Sequence, residues 1–259
     1  MTPYYTDGQA TIYHADAFDI LPRLEGVGAL VTDPPYSSGG AFRGDRMTTA
    51  LSKYASSDSS AQRGIGFTGD NRDQRAFLAW CSLWLTACRG ASVEGATFAI
   101  FTDWRQLPTL TDAVQVAGYV WRGVGAWSKK FGRPRAGGFS GACEFLAWGS
   151  HGALDAVPTY PAGVFECSAP PVRTRAHLTE KPEPVMAWAL GNVAPGRLVL
   201  DPFMGSGSTL IAARLRGCSA VGVEIDERYC EIVARRLSQE LPFDPPTMPS
   251  PGLWGRGAL

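Results

Sequence analysis

Asp33-Pro34-Pro35-Tyr36 gathers a carboxylate, two backbone carbonyls held by proline rings and an aromatic side chain directly after the apolar run Val27 to Thr32. That run reads as a buried strand. In open α/β sheets ligands sit outside the carboxyl ends of the strands, so these four residues stand where a substrate is met. Read as structure alone, they are a proline-rich turn. Read as chemistry, they suit an exocyclic amino group on a nucleobase, a poor nucleophile because its lone pair is delocalised into the ring. Hydrogen bonds from its two N–H groups to Asp33 and to the Pro34 carbonyl draw the nitrogen towards tetrahedral geometry as a methyl group approaches. Such an interaction strengthens in the transition state and raises kcat. Pro34 and Pro35 each fix their own φ and aim the carbonyl. Tyr36 offers a face for a base taken out of its stack. Asp33 has to be ionised to accept, and no raised pKa is required.

A second segment, Leu198 to Asp201 followed by Pro202-Phe203-Met204-Gly205-Ser206-Gly207-Ser208-Thr209 and the apolar stretch Leu210 to Leu215, reads as strand, glycine-rich turn and helix. This arrangement brings backbone N–H groups close to a nucleotide-like ligand. Glu224 follows at the end of the short strand Ala220 to Val223, where an acidic residue binds ribose hydroxyls. The third glycine of a dinucleotide fingerprint would fall at Leu210. Asp201 would repel a pyrophosphate, yet it suits the amino group or sulfonium of S-adenosylmethionine.

With the tetrad upstream, Thr179-Glu180-Lys181-Pro182 between, and Asp201-Pro202-Phe203-Met204-Gly205-Ser206-Gly207 downstream, the chain resembles the amino-group DNA methyltransferases in the permuted order of the β group. The resemblance runs from about Ile12 to Leu237. It implies a class I, Rossmann-like α/β fold: a seven-stranded, mostly parallel sheet, circularly permuted, with an antiparallel edge hairpin. It implies that Asp33, Pro34, Pro35 and Tyr36 carry the target base. Asp201, Phe203, Gly205, Ser206, Gly207 and Thr209 would line an S-adenosylmethionine pocket, with Glu224 on the ribose. Asp16 would stand near the cofactor adenine, although Ala15 replaces the family's glycine, and Lys181 would lie beside the methionine part. Lys181 also fits a surface lysine preceding a helix-starting proline.

The elements that must position these groups alternate. Helices are expected over Asn71 to Ala87, Trp104 to Ala117, Pro184 to Val193, Thr209 to Leu215 and Glu227 to Leu241. Strands are expected over Val27 to Thr32, Thr97 to Thr102, Leu198 to Leu200 and Ala220 to Val223, and Tyr119 to Trp127 would pair with Ala142 to Trp148 as the hairpin. The stripe Phe77, Trp80, Cys81, Trp84 and Cys88 reads as core. Ser37 to Asp70 is a long Ser/Gly-rich loop, of a type used as a lid or left disordered. Residues 1–241 are expected to form one catalytic domain with a small recognition insert over about 149–176, and residues 242–259 a poorly ordered proline-rich tail.

With 259 residues, 45% of them hydrophobic, the chain can bury a full core. Neither a membrane span nor a secretory leader is expected. The six cysteines are scattered without a CxxC and read as reduced core thiols of a cytoplasmic protein, and no metal is expected; the family resemblance implies a bacterial or phage-infected cell. The net charge of zero is unusual for a DNA-binding enzyme. The cations are clustered, however: Arg122, Lys129, Lys130, Arg133 and Arg135 lie in a stretch without an acid, and Arg173, Arg175, His177 and Lys181 form a second group. Lys129, Lys130, Arg133, Arg135, Arg173 and Arg175 are therefore candidate phosphate contacts, or else solvated faces.

Between the hairpin and Lys181 no helix-turn-helix or zinc finger can be read. Base readout would come from a few loop side chains, from Ser37 to Asp70, or from the second subunit of a homodimer, which implies a short or relaxed recognition sequence. Asp33 at the head of the tetrad favours the 6-amino group of adenine. The 4-amino group of cytosine, an RNA substrate, and a catalytically idle nucleic-acid-binding subunit are the alternatives.

Overall fold

The computed structural model describes residues 2–36, 72–133, 136–154, 159–168 and 181–239. The Ser37 to Asp70 loop, Arg135, Arg173, Arg175 and the 242–259 tail therefore lie outside the described residues. In chain order the strands are β1 (Tyr5–Thr6), β2 (Ala10–His14), β3 (Val27–Thr32), β4 (Ser92–Thr102), β5 (Val120–Arg133), β6 (Gly141–Ser150), β7 (Val164–Glu166), β8 (Leu198–Asp201) and β9 (Ser219–Glu224). The helices are α1 (Ala17–Ile20), α2 (Gln74–Ala91), α3 (Leu107–Val116), α4 (Glu183–Ala189), α5 (Ser208–Leu215) and α6 (Glu227–Ser238).

The described strands form one sheet in the order β1-β2-β9-β8-β3-β4-β6-β5-β7. Expected were seven strands with the hairpin at the edge; the sheet has nine. Two short strands account for the difference. β1 adds antiparallel to β2, and β7 adds parallel to β5, so the β5–β6 hairpin is covered and does not form the edge. β7 comes from the segment assigned to a recognition insert, which thus supplies sheet as well as loop.

Strand β3 carries the tetrad at its carboxyl end and is flanked in parallel by β4 and β8. All six of its residues are buried, as expected for a strand covered on both faces. Ala29 and Val31 face a core shared with α4, α5 and α6, whereas Val27 and Leu30 face the one shared with α1, α2 and α3. From β3 the chain crosses through α2 to β4 on one side, and from β8 through α5 to β9 on the other. The junction of β3 and β8 is therefore the topological switch point, where two crossovers diverge and leave a crevice.

Local chemistry starts the helices at this crevice. Asp73 caps α2 by accepting from the Ala76 N–H at 2.9 Å, and Asp226 caps α6 by accepting from Arg228 N–H at 3.1 Å. Phe77, Cys81, Trp84 and Cys88 of α2 are fully buried, each large side chain contributing about 2 kcal/mol. Trp80, expected in the same stripe, is only half-buried. Four of the cysteines are buried, but Cys143 is exposed and Cys167 half-buried, so these two are not core thiols.

Gly207, the residue before α5, has φ 81°, and a Cβ there would meet Val233 Cγ1 of α6 at 2.5 Å. Gly207→Ala is expected to cost about 2 to 4 kcal/mol, from left-handed backbone strain and overpacking together. In denaturant titrations the losses from Gly207→Ala and Val233→Ala should sum to more than the loss in the double variant. Strict additivity would contradict the steric account.

Candidate active site

The carboxyl ends of β3 and β8 are joined by one buried carboxylate. Asp201 is 2% exposed, and its Oδ1 accepts from Thr32 Oγ1 of β3 at 2.6 Å and from Phe203 N–H at 3.1 Å. Its Oδ2 accepts from Thr209 Oγ1 of α5 at 2.5 Å. Strand β3, the turn and the start of α5 are thus tied to one group. Burial pushes the Asp201 carboxyl up to about 6, against the pull of the two threonine hydroxyls.

Beyond this junction opens a cleft that is partly continuous with solvent. Asp16 and Phe18 stand at one end, Pro202 and Phe203 at the turn, Glu224 and Ile225 after β9, and Trp80 and Arg72 on the α2 side. Phe203 packs against both Trp80 and Trp84 with ring centroids 5.2 Å apart, and the Arg72 guanidinium stacks on Trp80 at 4.2 Å. Glu224 is fixed by two backbone N–H groups, from Gly205 to Oε2 at 3.0 Å and from Asp226 to Oε1 at 2.9 Å. A carboxylate has about four acceptor positions, so it retains capacity for two ligand hydroxyls. Burial holds its pKa above the ordinary carboxylate value. An apolar, aromatic-walled slot ending in a fixed carboxylate fits an adenosine group.

Pro35 lines the same cleft, so the tetrad and the slot are continuous. Around Asp33 lies a compact charged cluster. Asp33 Oδ1 accepts from the Tyr36 hydroxyl, and Oδ2 accepts from Lys181 Nζ at 2.5 Å. Lys181 also donates to the Tyr36 oxygen at 2.9 Å and lies 3.0 Å from Glu144 Oε2 of β6. Glu144 Oε1 pairs in turn with Lys129 of β5. The Lys181 side chain is 5% exposed and is held between two carboxylates. Burial alone would pull its pKa down, but Asp33 and Glu144 outweigh burial and raise it. Burial pushes Asp33 up against the opposing pull of Lys181, and burial pushes Tyr36 well up, reinforced by the Asp33 charge. For Glu144, Lys181 and Lys129 overcome burial, and its pKa is lowered.

Asp16, Phe203 and Glu224 thus line the cleft. Asp201, Gly205, Ser206, Gly207 and Thr209 shape the turn behind it: Gly205 fixes Glu224, and the Ser206 carbonyl accepts from Arg236 at 2.5 Å. Lys181 is placed against the tetrad, not among the cleft-lining residues. Of the basic stretch, Arg122 is engaged with Ser150 Oγ at 2.9 Å and the Gly152 carbonyl at 3.1 Å, and Lys129 turns inward to Glu144. Lys130 is exposed with φ 64°, at an irregularity of β5, and Arg133 ends that strand. Glu144 and Trp80 were missed by sequence reasoning. Glu144 had a signal, being the one charged residue in Gly141 to Ser150; Trp80 had none, since its helical spacing is that of a core residue.

The fold is that of the class I methyltransferases, with two short edge strands added. A family model described as DNA methylase of the N6/N4 type matches residues 158–235, the span that includes β8, the glycine turn and β9. Over 282 aligned positions the chain is 23% identical to the type II methyltransferase M.ScaI of Streptomyces caespitosus, covering 92% of this chain and 84% of that one. Among solved structures it is similar to the M1.HpyAVI–SAM complex, with 21% identity, 88% and 99% of the two chains covered and a TM-score of 0.61. It is similar also to the cytosine-N4-specific PvuII DNA methyltransferase, with 16% identity, 92% and 89% covered and a TM-score of 0.69. The chain is thus similar in fold to S-adenosylmethionine-dependent DNA methyltransferases, and over residues 158–235 in sequence to the N6/N4 DNA methylases.

The raised pKa of Asp201 gives the site a pH signature. Its folded value, about 6, lies above the value of an unfolded aspartate, 3.8, so stability present at low pH is lost as the pH rises through about 6. The total loss is about 3 kcal/mol. Asp201→Asn does not titrate, so its stability relative to wild type should rise by about that amount between pH 4 and 7. Urea unfolding showing a constant difference across this range would contradict the assignment.

Proposed function

We propose that the chain is a DNA methyltransferase that moves a methyl group from S-adenosylmethionine to the 6-amino group of adenine. One observation carries this: Pro35 belongs both to the tetrad and to the wall of the adenosine-shaped cleft, so an amino group held by Asp33 and a cofactor held by Glu224 would meet. Asp16 and Phe203 would hold the adenine of the cofactor, Glu224 its ribose, and the face of the glycine turn its methionine part. When bound, the cofactor supplies an electrophilic methyl on a sulfonium.

The residues of the chain do the rest. Asp33 and the Pro34 carbonyl would accept the two N–H groups, turning the nitrogen lone pair towards the methyl. The new N–C bond forms as the C–S bond breaks, S-adenosylhomocysteine leaves, and the amino group loses one proton to solvent. Tyr36 would stack on the base once it has left the duplex, which excludes water from the reacting atoms. The tetrad strand precedes the glycine-turn strand in the chain but is hydrogen-bonded to it in the sheet. A permuted order would therefore leave the site intact.

Sequence readout, on this proposal, rests on few side chains. A good bidentate contact discriminates by about 1 to 3 kcal/mol per base, so few contacts give a short or degenerate target. Lys130, exposed on β5, would meet a phosphate.

The test is methylation of unmethylated genomic DNA with methyl-labelled cofactor, followed by digestion to nucleosides and sequencing. The expected product is 6-methyladenine in a short or degenerate context. Label appearing only as 4-methylcytosine would overturn the adenine assignment, and a strict motif of six or more bases would overturn relaxed readout. Asp33→Ala should lower transfer at least about a hundredfold while calorimetry finds cofactor affinity nearly unchanged. Lys130→Ala should weaken DNA binding alike on all sequences and reduce the salt slope by about one. An unchanged slope would return Lys130 to a solvated face.

A further inference from the structure

On the amino-group methyltransferase reading, Asp33 must accept an N–H from the target base, yet each of its oxygens already accepts one donor, and an ammonium 2.5 Å from Oδ2 competes with the incoming N–H. Tyr36 donates to Oδ1 and Lys181 donates to Oδ2 at 2.5 Å. Tyr36 can leave by turning its hydroxyl away as its ring meets the base. Lys181 is harder to move, because its side chain is 5% exposed and an ammonium that loses its partner there is a buried, uncompensated charge. A second carboxylate stands within reach. Glu144 Oε2 already lies 3.0 Å from Lys181 Nζ, so the ammonium is shared between two carboxylates and sits nearer Asp33. The other Glu144 oxygen is tied to Lys129, which fixes the direction of the one that faces Lys181.

We propose that Glu144 is a positioning residue that takes over Lys181 from Asp33 when the target base enters, freeing Asp33 Oδ2 for the amino group. A small swing of one ammonium between two acceptors keeps it paired throughout. Ionised Asp33 is thereby masked until a base displaces the lysine. The device also explains why β6 carries one acid among uncharged neighbours, and why Lys129 of the basic stretch points inward. Asp33, Tyr36, Lys181, Glu144 and Lys129 are the titratable groups in direct contact within the cluster.

The experiment measures methyl transfer to unmethylated genomic DNA by wild type, Glu144→Gln, Lys181→Gln and the double variant, with cofactor affinity from calorimetry. An amide cannot take the ammonium as a carboxylate does, so in Glu144→Gln Lys181 should stay on Asp33 and the competent fraction should fall. Expected is a kcat lowered about tenfold or more, with the KM for DNA and the Kd for cofactor within about twofold of wild type. In the Lys181→Gln background the same substitution should have little further effect, because there is no ammonium to transfer. A wild-type kcat in Glu144→Gln overturns the proposal, and so does a loss that persists in full in the Lys181→Gln background. If Glu144→Gln does not fold, judged by circular dichroism and cofactor binding, Glu144→Asp serves: it keeps the charge but is one methylene too short. A lowered kcat in that variant supports the transfer of Lys181, and a wild-type kcat overturns it. Wild-type protein that binds cofactor and methylates no DNA defeats the methyltransferase reading itself, whatever the variants do.

Discussion

Two carboxylates, Asp33 and Asp201, stand at the ends of neighbouring strands, Asp201 buried and Asp33 part-buried. The pairing of Leu30 with Leu200 brings those ends level, and the Thr32 hydroxyl on Asp201 locks them. Carboxylates placed there must be hydrogen-bonded or paired. Asp201 meets the demand with hydroxyls and a backbone N–H, and becomes a structural knot. Asp33 meets it with Lys181 and a tyrosine, partners that can move. One demand, two kinds of partner, and the site acquires a rigid half and an adjustable half.

The rigid half extends outward from Asp201. Thr209 carries it into α5, Phe203 into the aromatic wall, and Gly205 into Glu224 through a backbone N–H. The glycines of the turn serve this geometry at close quarters: Gly207 takes a left-handed conformation and has Val233 against its missing Cβ. The adjustable half extends through Lys181 to Glu144 and Lys129, two carboxylates facing two ammoniums on four different elements. Lys181 and Glu144 each face two groups of opposite charge, which ties the hairpin β5–β6 to the carboxyl end of β3.

What could be read from the chain was the part encoded locally. The tetrad after a buried strand, the glycine turn before a helix, and Glu224 at the next strand end are each short patterns with a physical reason, and all fall at the crevice. The core stripe of α2 was legible for Phe77, Cys81, Trp84 and Cys88 by helical spacing alone. Trp80 shares that spacing, and only its packing against Phe203 beside the cleft makes it a wall. β1 and β7, of two and three residues, are too short to show a period; they exist because neighbouring edges offer unpaired backbone groups. Lys181 and Glu144 are 37 residues apart in the chain, and Lys129 looked like one more surface cation among several. Nothing local announces that Lys129, Glu144 and Lys181 form a chain of ion pairs ending on Asp33, because that chain depends on the register of β6 against β4.

The central claim is that an adenosine-containing cofactor in the cleft presents its sulfur to the tetrad across the β3–β8 junction. A crystal structure of the protein with S-adenosylhomocysteine tests it most directly. The account predicts ribose hydroxyls on Glu224, the adenine against Phe203 and Ile225, and the sulfur facing Asp33 and Pro34 with space for a methyl and an amino nitrogen between. A cofactor bound elsewhere, or one whose sulfur points away from the tetrad, would contradict it.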